Sequence, residues 1–258
     1  MGFPQRFAGK AVLVTGAGTG FGAEIAVRAA QEGARVAVHY NRSAAGAERT
    51  LLRVREAGSD GFVVQADIVR RHDIVRMAEE VFSRFGSLDV LINNVGDVAP
   101  EQMSWRDLTE ESIDRVLAVD VKGTMLCTHE FGTRMLDQGR GAIVNIGSTV
   151  IVRGSPRAPQ YAAAKYAVLG ITKSYAAAFA PTVRVNTFAP GFIETEATLG
   201  RHDWNTGRRE EMIARTPMRH IPGPAEVAGT ALFLATDDAA HMTGVYLNAD
   251  GGYNMIGA

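Results

Sequence analysis

Tyr161 and Lys165 stand four residues apart, and Ser148 lies thirteen residues before the tyrosine. Positions i and i+4 share one face of a helix, so the phenol and the ammonium can address one point in space. A phenol titrates near pH 10 in water, too high for proton exchange at neutrality. A fixed cation beside it favours the phenolate and brings that value toward working pH. Ser148, arriving from another segment, can hydrogen-bond the oxygen of a carbonyl or an alcohol. The chemistry this suggests is proton transfer to or from the oxygen of a carbonyl/alcohol pair. Tyr-x-x-x-Lys alone also describes a tyrosine packed on a helix beside a solvated lysine. What separates the two readings is a glycine-rich turn near the N-terminus.

That turn is Thr15-Gly16-Ala17-Gly18-Thr19-Gly20-Phe21-Gly22, entered from the apolar run Ala11–Val14 and followed by a helical pattern. Gly16 allows a tight turn, Gly20 lets backbone N–H groups approach a pyrophosphate, and Gly22 lets helix and strand pack closely. The spacing is T-G-x-x-x-G-x-G, with Phe21 where G-x-G-x-x-G would place its third glycine. Further apolar runs fall at 35–40, 61–66, 88–93, 142–146, 183–189 and 244–248. Between them lie helical patterns near 20–32, 43–57, 70–85, 109–137, 158–180 and 224–236. Such alternation predicts one α/β domain over residues 1–258, a doubly wound parallel sheet with helices on both faces. The stretch 192–223 departs from the pattern, and is either a substrate lid over a cleft or a surface insertion.

With these motifs the chain resembles the short-chain dehydrogenase/reductase family over nearly its whole length. The residues that carry the likeness are Thr15–Gly22, Asp67, Asn93-Asn94-Val95-Gly96, Ser148/Tyr161/Lys165, Asn186, Pro190-Gly191 and Asp250-Gly251-Gly252. The resemblance implies a Rossmann-type sheet of seven strands in the order 3-2-1-4-5-6-7. It also implies a homotetramer in which the two long central helices form one interface. Asp67 with Ile68, and Asn94, Val95 and Gly96, are then expected at the adenine and its ribose. Gly16, Thr19, Gly20, Phe21 and Gly22 are expected at the phosphates, and Tyr161 and Lys165 at the nicotinamide ribose. Pro190, Gly191 and Ile193 are expected along the nicotinamide. Catalysis is expected from Ser148, Tyr161 and Lys165. Asp120 in Val119-Asp120-Val121-Lys122-Gly123 stands where the family often has an asparagine holding a proton-relay water. The nearest general pattern is that of 3-oxoacyl-carrier-protein reductases, beside sugar-type and steroid-type alcohol dehydrogenases.

The second strand runs out into Tyr40-Asn41-Arg42-Ser43, which holds no carboxylate to repel a 2′-phosphate, while Arg42 can pair with one. NADP(H) is therefore expected, with NAD(H) as the alternative. The expected substrate is a small carbonyl or alcohol, including one carried as an acyl thioester. Val150, Ile151 and Val152 would make one wall of its cleft apolar. Five arginines in 201–219 suit either an anionic substrate or a solvated helix. With 258 residues, 46% hydrophobic, and a net charge of −1, the chain has no general attraction for nucleic acid or membrane. One cysteine, Cys127, fits a cytoplasmic protein. The first six residues lack the apolar core of a signal peptide, and the six scattered histidines suggest no metal. Two other classes stay open, a nucleotide-binding regulator without turnover and an epimerase or dehydratase.

Overall fold

Short runs of Val, Ile, Leu and Ala can bury both of their faces only when helices cover a parallel sheet on either side. The computed structural model has this architecture and describes residues 3–97 and 104–255. Met1 and Gly2 of the N-terminal reading lie outside the described residues. The chain runs β1 (Ala11–Val14), α1 (Gly20–Gln31), β2 (Arg35–Tyr40), α2 (Ala44–Glu56), β3 (Gly61–Gln65), α3 (Arg71–Phe85) and β4 (Val90–Asn93). It continues through α4 (Glu110–Val116), α5 (Thr124–Asp137), β5 (Gly141–Ile146), α6 (Val150–Arg153), α7 (Pro159–Phe179) and β6 (Val183–Pro190). The last elements are α8 (Glu196–Leu199), α9 (Arg208–Arg215), α10 (Pro224–Phe233) and β7 (Tyr246–Ala249). All seven strands join one sheet in the order β3-β2-β1-β4-β5-β6-β7, every pair parallel.

The period of two along each strand splits the core between the faces of the sheet. Val12 and Val14 pack on one side with Ile25 of α1 and Leu232 of α10. Ala11 and Leu13 pack on the other, with Ile74 and Met77 of α3, Phe131 of α5 and Phe179 of α7. Beneath the C-terminal ends of the central strands runs a buried polar ladder. The Asn93 amide donates to Thr128 Oγ1 (3.0 Å) and Asn145 Oδ1 (2.9 Å). Asn145 in turn donates to Thr172 Oγ1 at 2.9 Å, and Thr172 meets Thr187 at 2.7 Å. These bonds tie α5 and α7 to β4, β5 and β6.

The helix expected over 109–137 differs from expectation in its middle. Residues Leu117–Gly123 form a π-helix between α4 and α5, a wide turn that leaves the apolar periodicity legible but rotates the side chains within it. Asp120 sits in this turn with no solvent exposure. The 192–223 stretch is built from α8, a 3-10 turn at Trp204–Thr206 and α9. It has a small core of its own, in which Trp204, Met212 and Ile221 pack with Phe192 and Tyr253. Among the described residues no helix is long and apolar enough to cross a membrane. No cluster of His, Cys, Asp or Glu among them could hold a metal ion.

Candidate active site

The turn after β5 presents Ser148, and α7 opens with Pro159, whose fixed φ suits the first helical position. Tyr161 and Lys165 follow on consecutive turns of α7. Ser148, Tyr161 and Lys165 are 8%, 5% and 5% exposed, and all three line one cavity of about 860 Å³. Phe21, Asn94, Gly96 and the Pro190–Ile193 segment line the same cavity. The Ser148 hydroxyl also accepts the Val150 N–H at 3.3 Å. Lys165 Nζ donates to the Ile146 carbonyl at 3.2 Å and lies 5.4 Å from the centre of the Tyr161 ring.

Asp120 faces that ammonium directly. Its Oδ1 is 2.9 Å from Lys165 Nζ, an ion pair without the alignment of a hydrogen bond. Its Oδ2 accepts the Asp97 N–H at 2.7 Å. Gly96 closes over the pair, where a Cβ would stand 3.1 Å from both Oδ1 and Nζ. The π-helix is what swings Asp120 inward, and sequence periodicity does not reveal that its partner would be the lysine.

At the nucleotide end, Gly16 and Gly20 hold positive φ of 63° and 59°. A Cβ on Gly22 would come within 2.4 Å of the Gly16 carbonyl oxygen and of Asn94 Nδ2. Val95 packs on Gly16 from the other side. Thr19 makes no side-chain cap to α1, and the first turn of α1 carries no acidic residue. The helix therefore begins with free N–H donors and an uncompensated positive dipole end, which fits a pyrophosphate. The loop after β2 lies against this turn, since a Cβ on Gly18 would be 2.4 Å from Ser43 Oγ. Asn41, Arg42 and Ser43 are exposed and Tyr40 half-buried there. Asp67 accepts the Val69 N–H at 3.2 Å and Ile68 is buried against Gly123. None of Tyr40–Ser43, Asp67 or Ile68 lines the main cavity. Of the three residues expected as an apolar wall, only Val150 does. Ile151 turns into the interior and Val152 is 49% exposed, because the short helix α6 rotates them away.

Several residues escaped the sequence reading. His39 is buried in β2, where its Nδ1 accepts the Gly16 N–H and its Nε2 donates to the Ala66 carbonyl, both at 3.0 Å. Gly16 N–H can only donate, which fixes the tautomer with the proton on Nε2. Burial pushes the His39 pKa down to about 4. Thr195, Arg153 and Arg157 line the cavity, and no spacing rule marked them.

Three comparisons with known proteins bear on this arrangement. A family model described as enoyl-(acyl carrier protein) reductase matches residues 16–254. The chain belongs to the short-chain dehydrogenase/reductase family. This short-chain dehydrogenase/reductase is 37% identical over 247 residues to a 3-oxoacyl-[acyl-carrier-protein] reductase of Staphylococcus aureus, covering 95% of this chain and 98% of that one. A Sinorhizobium meliloti structure, named as a candidate short-chain alcohol dehydrogenase, superposes with a TM-score of 0.89 at 33% identity, covering 95% of this chain and 96% of that one. The structure of the promiscuous reductase LugOII, which catalyses keto-reduction at C1 in lugdunomycin biosynthesis, gives 0.87 at 31% identity, covering 96% and 99%. The family member described here is accordingly an oxidoreductase that interconverts ketone and secondary alcohol groups with a nicotinamide cofactor.

Proposed function

We propose that Tyr161 is the general acid/base of this oxidoreductase, with Ser148 holding the substrate oxygen and Lys165 acting on both the phenol and the cofactor ribose. The observation that carries the reading is the shared cavity. It brings Ser148, Tyr161 and Lys165 from two elements to the Pro190–Ile193 segment. When bound, the nicotinamide supplies or takes up the hydride. In reduction the Tyr161 phenol gives its proton to the oxygen that develops charge, and the Ser148 hydroxyl donates to the same oxygen. Lys165 favours the phenolate that remains. Asp120 holds Lys165 in place and offsets part of its charge.

Gly16, Thr19, Gly20, Phe21 and Gly22 would hold the pyrophosphate, Asn94 to Gly96 with Asp67 and Ile68 the adenosine side, and Pro190, Gly191 and Ile193 the nicotinamide. NADP(H) is the cofactor we favour. Arg42 stands beside the start of α2, whose Ser43 makes no side-chain cap and whose first turn has no acid. A 2′-phosphate would find a guanidinium and free N–H groups there. Parallel fluorescence titrations check this, and equal affinity for NADH and NADPH would remove the preference. The S. aureus relative's name and LugOII's keto-reduction support a ketone or oxoacyl substrate, free or as an acyl thioester. The segment 192–223 would act as its lid within a single domain spanning 1–258, in a cytoplasmic homotetramer.

The test is Tyr161→Phe assayed by NADPH absorbance against a panel of ketones and oxoacyl thioesters. Loss of a positioned general acid should cut turnover by about a hundredfold or more, while NADPH still binds. Near wild-type turnover on the best substrate would end this assignment.

A further inference from the structure

We infer that His39, which lies outside the cavity, is a positioning residue for the dinucleotide: its ring holds the glycine turn in the shape that receives the pyrophosphate before the cofactor arrives. This inference rests on the reading of Gly16–Gly22 as the pyrophosphate turn.

β2 buries Val36, Ala37 and Val38 completely, and His39 beside them is 1% exposed. A polar ring in that place costs desolvation unless its nitrogens are partnered, and both are. Nδ1 accepts the Gly16 N–H and Nε2 donates to the Ala66 carbonyl, each at 3.0 Å. The His39 carbonyl accepts the Ala17 N–H at 2.9 Å as well. One residue of β2 thus holds two successive N–H groups of the turn. From the β4 side, Thr15 Oγ1 accepts the N–H groups of Asn94 (2.9 Å) and Val95 (3.2 Å). The Asn94 amide donates to the carbonyls of Thr15 (3.0 Å) and Gly16 (3.2 Å). Gly16 is therefore fixed at both its polar groups, the N–H by His39 and the carbonyl by Asn94.

That double hold matters because Gly16 sits at φ 63°, in a region glycine enters and leaves freely. With its N–H unpaired, the turn would relax until that donor found another partner. Only a fraction of molecules would then present the shape that binds, and the apparent affinity would fall by that fraction. The Ala66 bond aims the ring, since it keeps the proton on Nε2 and leaves Nδ1 as an acceptor. Burial favours the neutral ring and so preserves that acceptor at neutral pH. An aliphatic residue would suit the packing of β2 equally well, but would leave the Gly16 N–H and the Ala66 carbonyl without this partner.

Asparagine and glutamine separate the two nitrogens. The asparagine amide oxygen stands as many bonds from the backbone as Nδ1, and the glutamine amide nitrogen as many as Nε2. His39→Asn therefore keeps the acceptor for Gly16, whereas His39→Gln keeps only the donor for Ala66. Fluorescence titration should give an NADPH Kd within about threefold of wild type for His39→Asn and about five- to a hundredfold higher for His39→Gln. NADH should weaken by the same factor, because it carries the same pyrophosphate. At saturating cofactor kcat should be unchanged in both variants, as Ser148, Tyr161 and Lys165 lie on other elements. Val36→Ala, a cavity in the same strand, should lower the melting temperature and leave the Kd alone. A Kd that rises in step with the loss of melting temperature across all three variants would overturn the inference. So would equal Kd values for the asparagine and glutamine variants. Hydrogen exchange at the Gly16 amide of the wild type decides without a variant: protection before cofactor is added supports the role, and protection only afterwards overturns it. If the wild type binds neither NADPH nor NADH, the pyrophosphate reading itself fails and the positioning role falls with it.

Discussion

An aspartate differs from an asparagine at position 120 by a full charge 2.9 Å from Lys165 Nζ. The groups facing that ammonium are Asp120 from the π-helix, Tyr161 from its own helix, the Ile146 carbonyl from β5 and the Gly96 backbone. The Asp97 carboxylate, next along the chain, is tied to Arg115. With Asp120 in place, Tyr161 feels a cation whose field is partly cancelled. Asp120→Asn should restore that field and favour the phenolate, moving the limb of the pH–rate profile to lower pH. Alcohol oxidation, which uses the phenolate, should then reach its plateau at lower pH, and ketone reduction should decline from lower pH. The amide can still accept the Asp97 N–H, so NADPH binding serves as the folding control. An unmoved profile with binding intact would reduce Asp120 to a structural partner. Ser148, Tyr161 and Lys165 were legible in sequence because their chemistry is written in spacing along one helix and its preceding strand. The Asp120–Lys165 pair was not, since it joins residues 45 positions apart through a local change of helical pitch.

Elements carry the site through contacts at their ends, and His39 of β2 is the clearest of these. It links the glycine turn after β1 to the end of β3 through Gly16 N–H and the Ala66 carbonyl. The native form is the neutral ring, with a pKa pushed down by burial to about 4, against about 6.5 in an unfolded chain. Between those values the unfolded chain binds a proton that the native protein does not, so stability rises with pH across the window. It should be complete above pH 6.5 and fall by roughly 3 kcal/mol as pH drops to 4. Thermal melts of wild type and His39→Gln across pH 4–7.5 test this. The wild-type slope should be steeper over that window, and parallel slopes would exclude His39 as its source. Strand and helix order was readable because short apolar runs alternate with period-3.6 patterns everywhere outside 192–223. The residues joining the elements were not, because a buried histidine looks the same in sequence whether or not it accepts a backbone N–H.

At the scale of the whole molecule, α4, the π-helix, α5 and α7 serve two sides at once. Val116, Val168 and Phe179 of these helices are buried inside the chain itself. Leu117, Met125 and Tyr166 remain 40%, 43% and 51% exposed. Trp105 and Leu108, just before α4, are 54% and 41% exposed. Large apolar side chains gathered on neighbouring elements gain more from a partner than from water. The proposed homotetramer needs a second interface besides this face. Tyr166 immediately follows Lys165, so a partner packed on the outer face of α7 would also steady the helix that carries Tyr161. Light scattering at micromolar concentration should therefore give about four times the chain mass of 27.6 kDa. Met125→Lys with Tyr166→Glu, which puts charge into that face, should shift the mass downward and lower activity as the protein is diluted. A stable wild-type monomer would show that α7 needs no partner and that these side chains are simply solvent-facing.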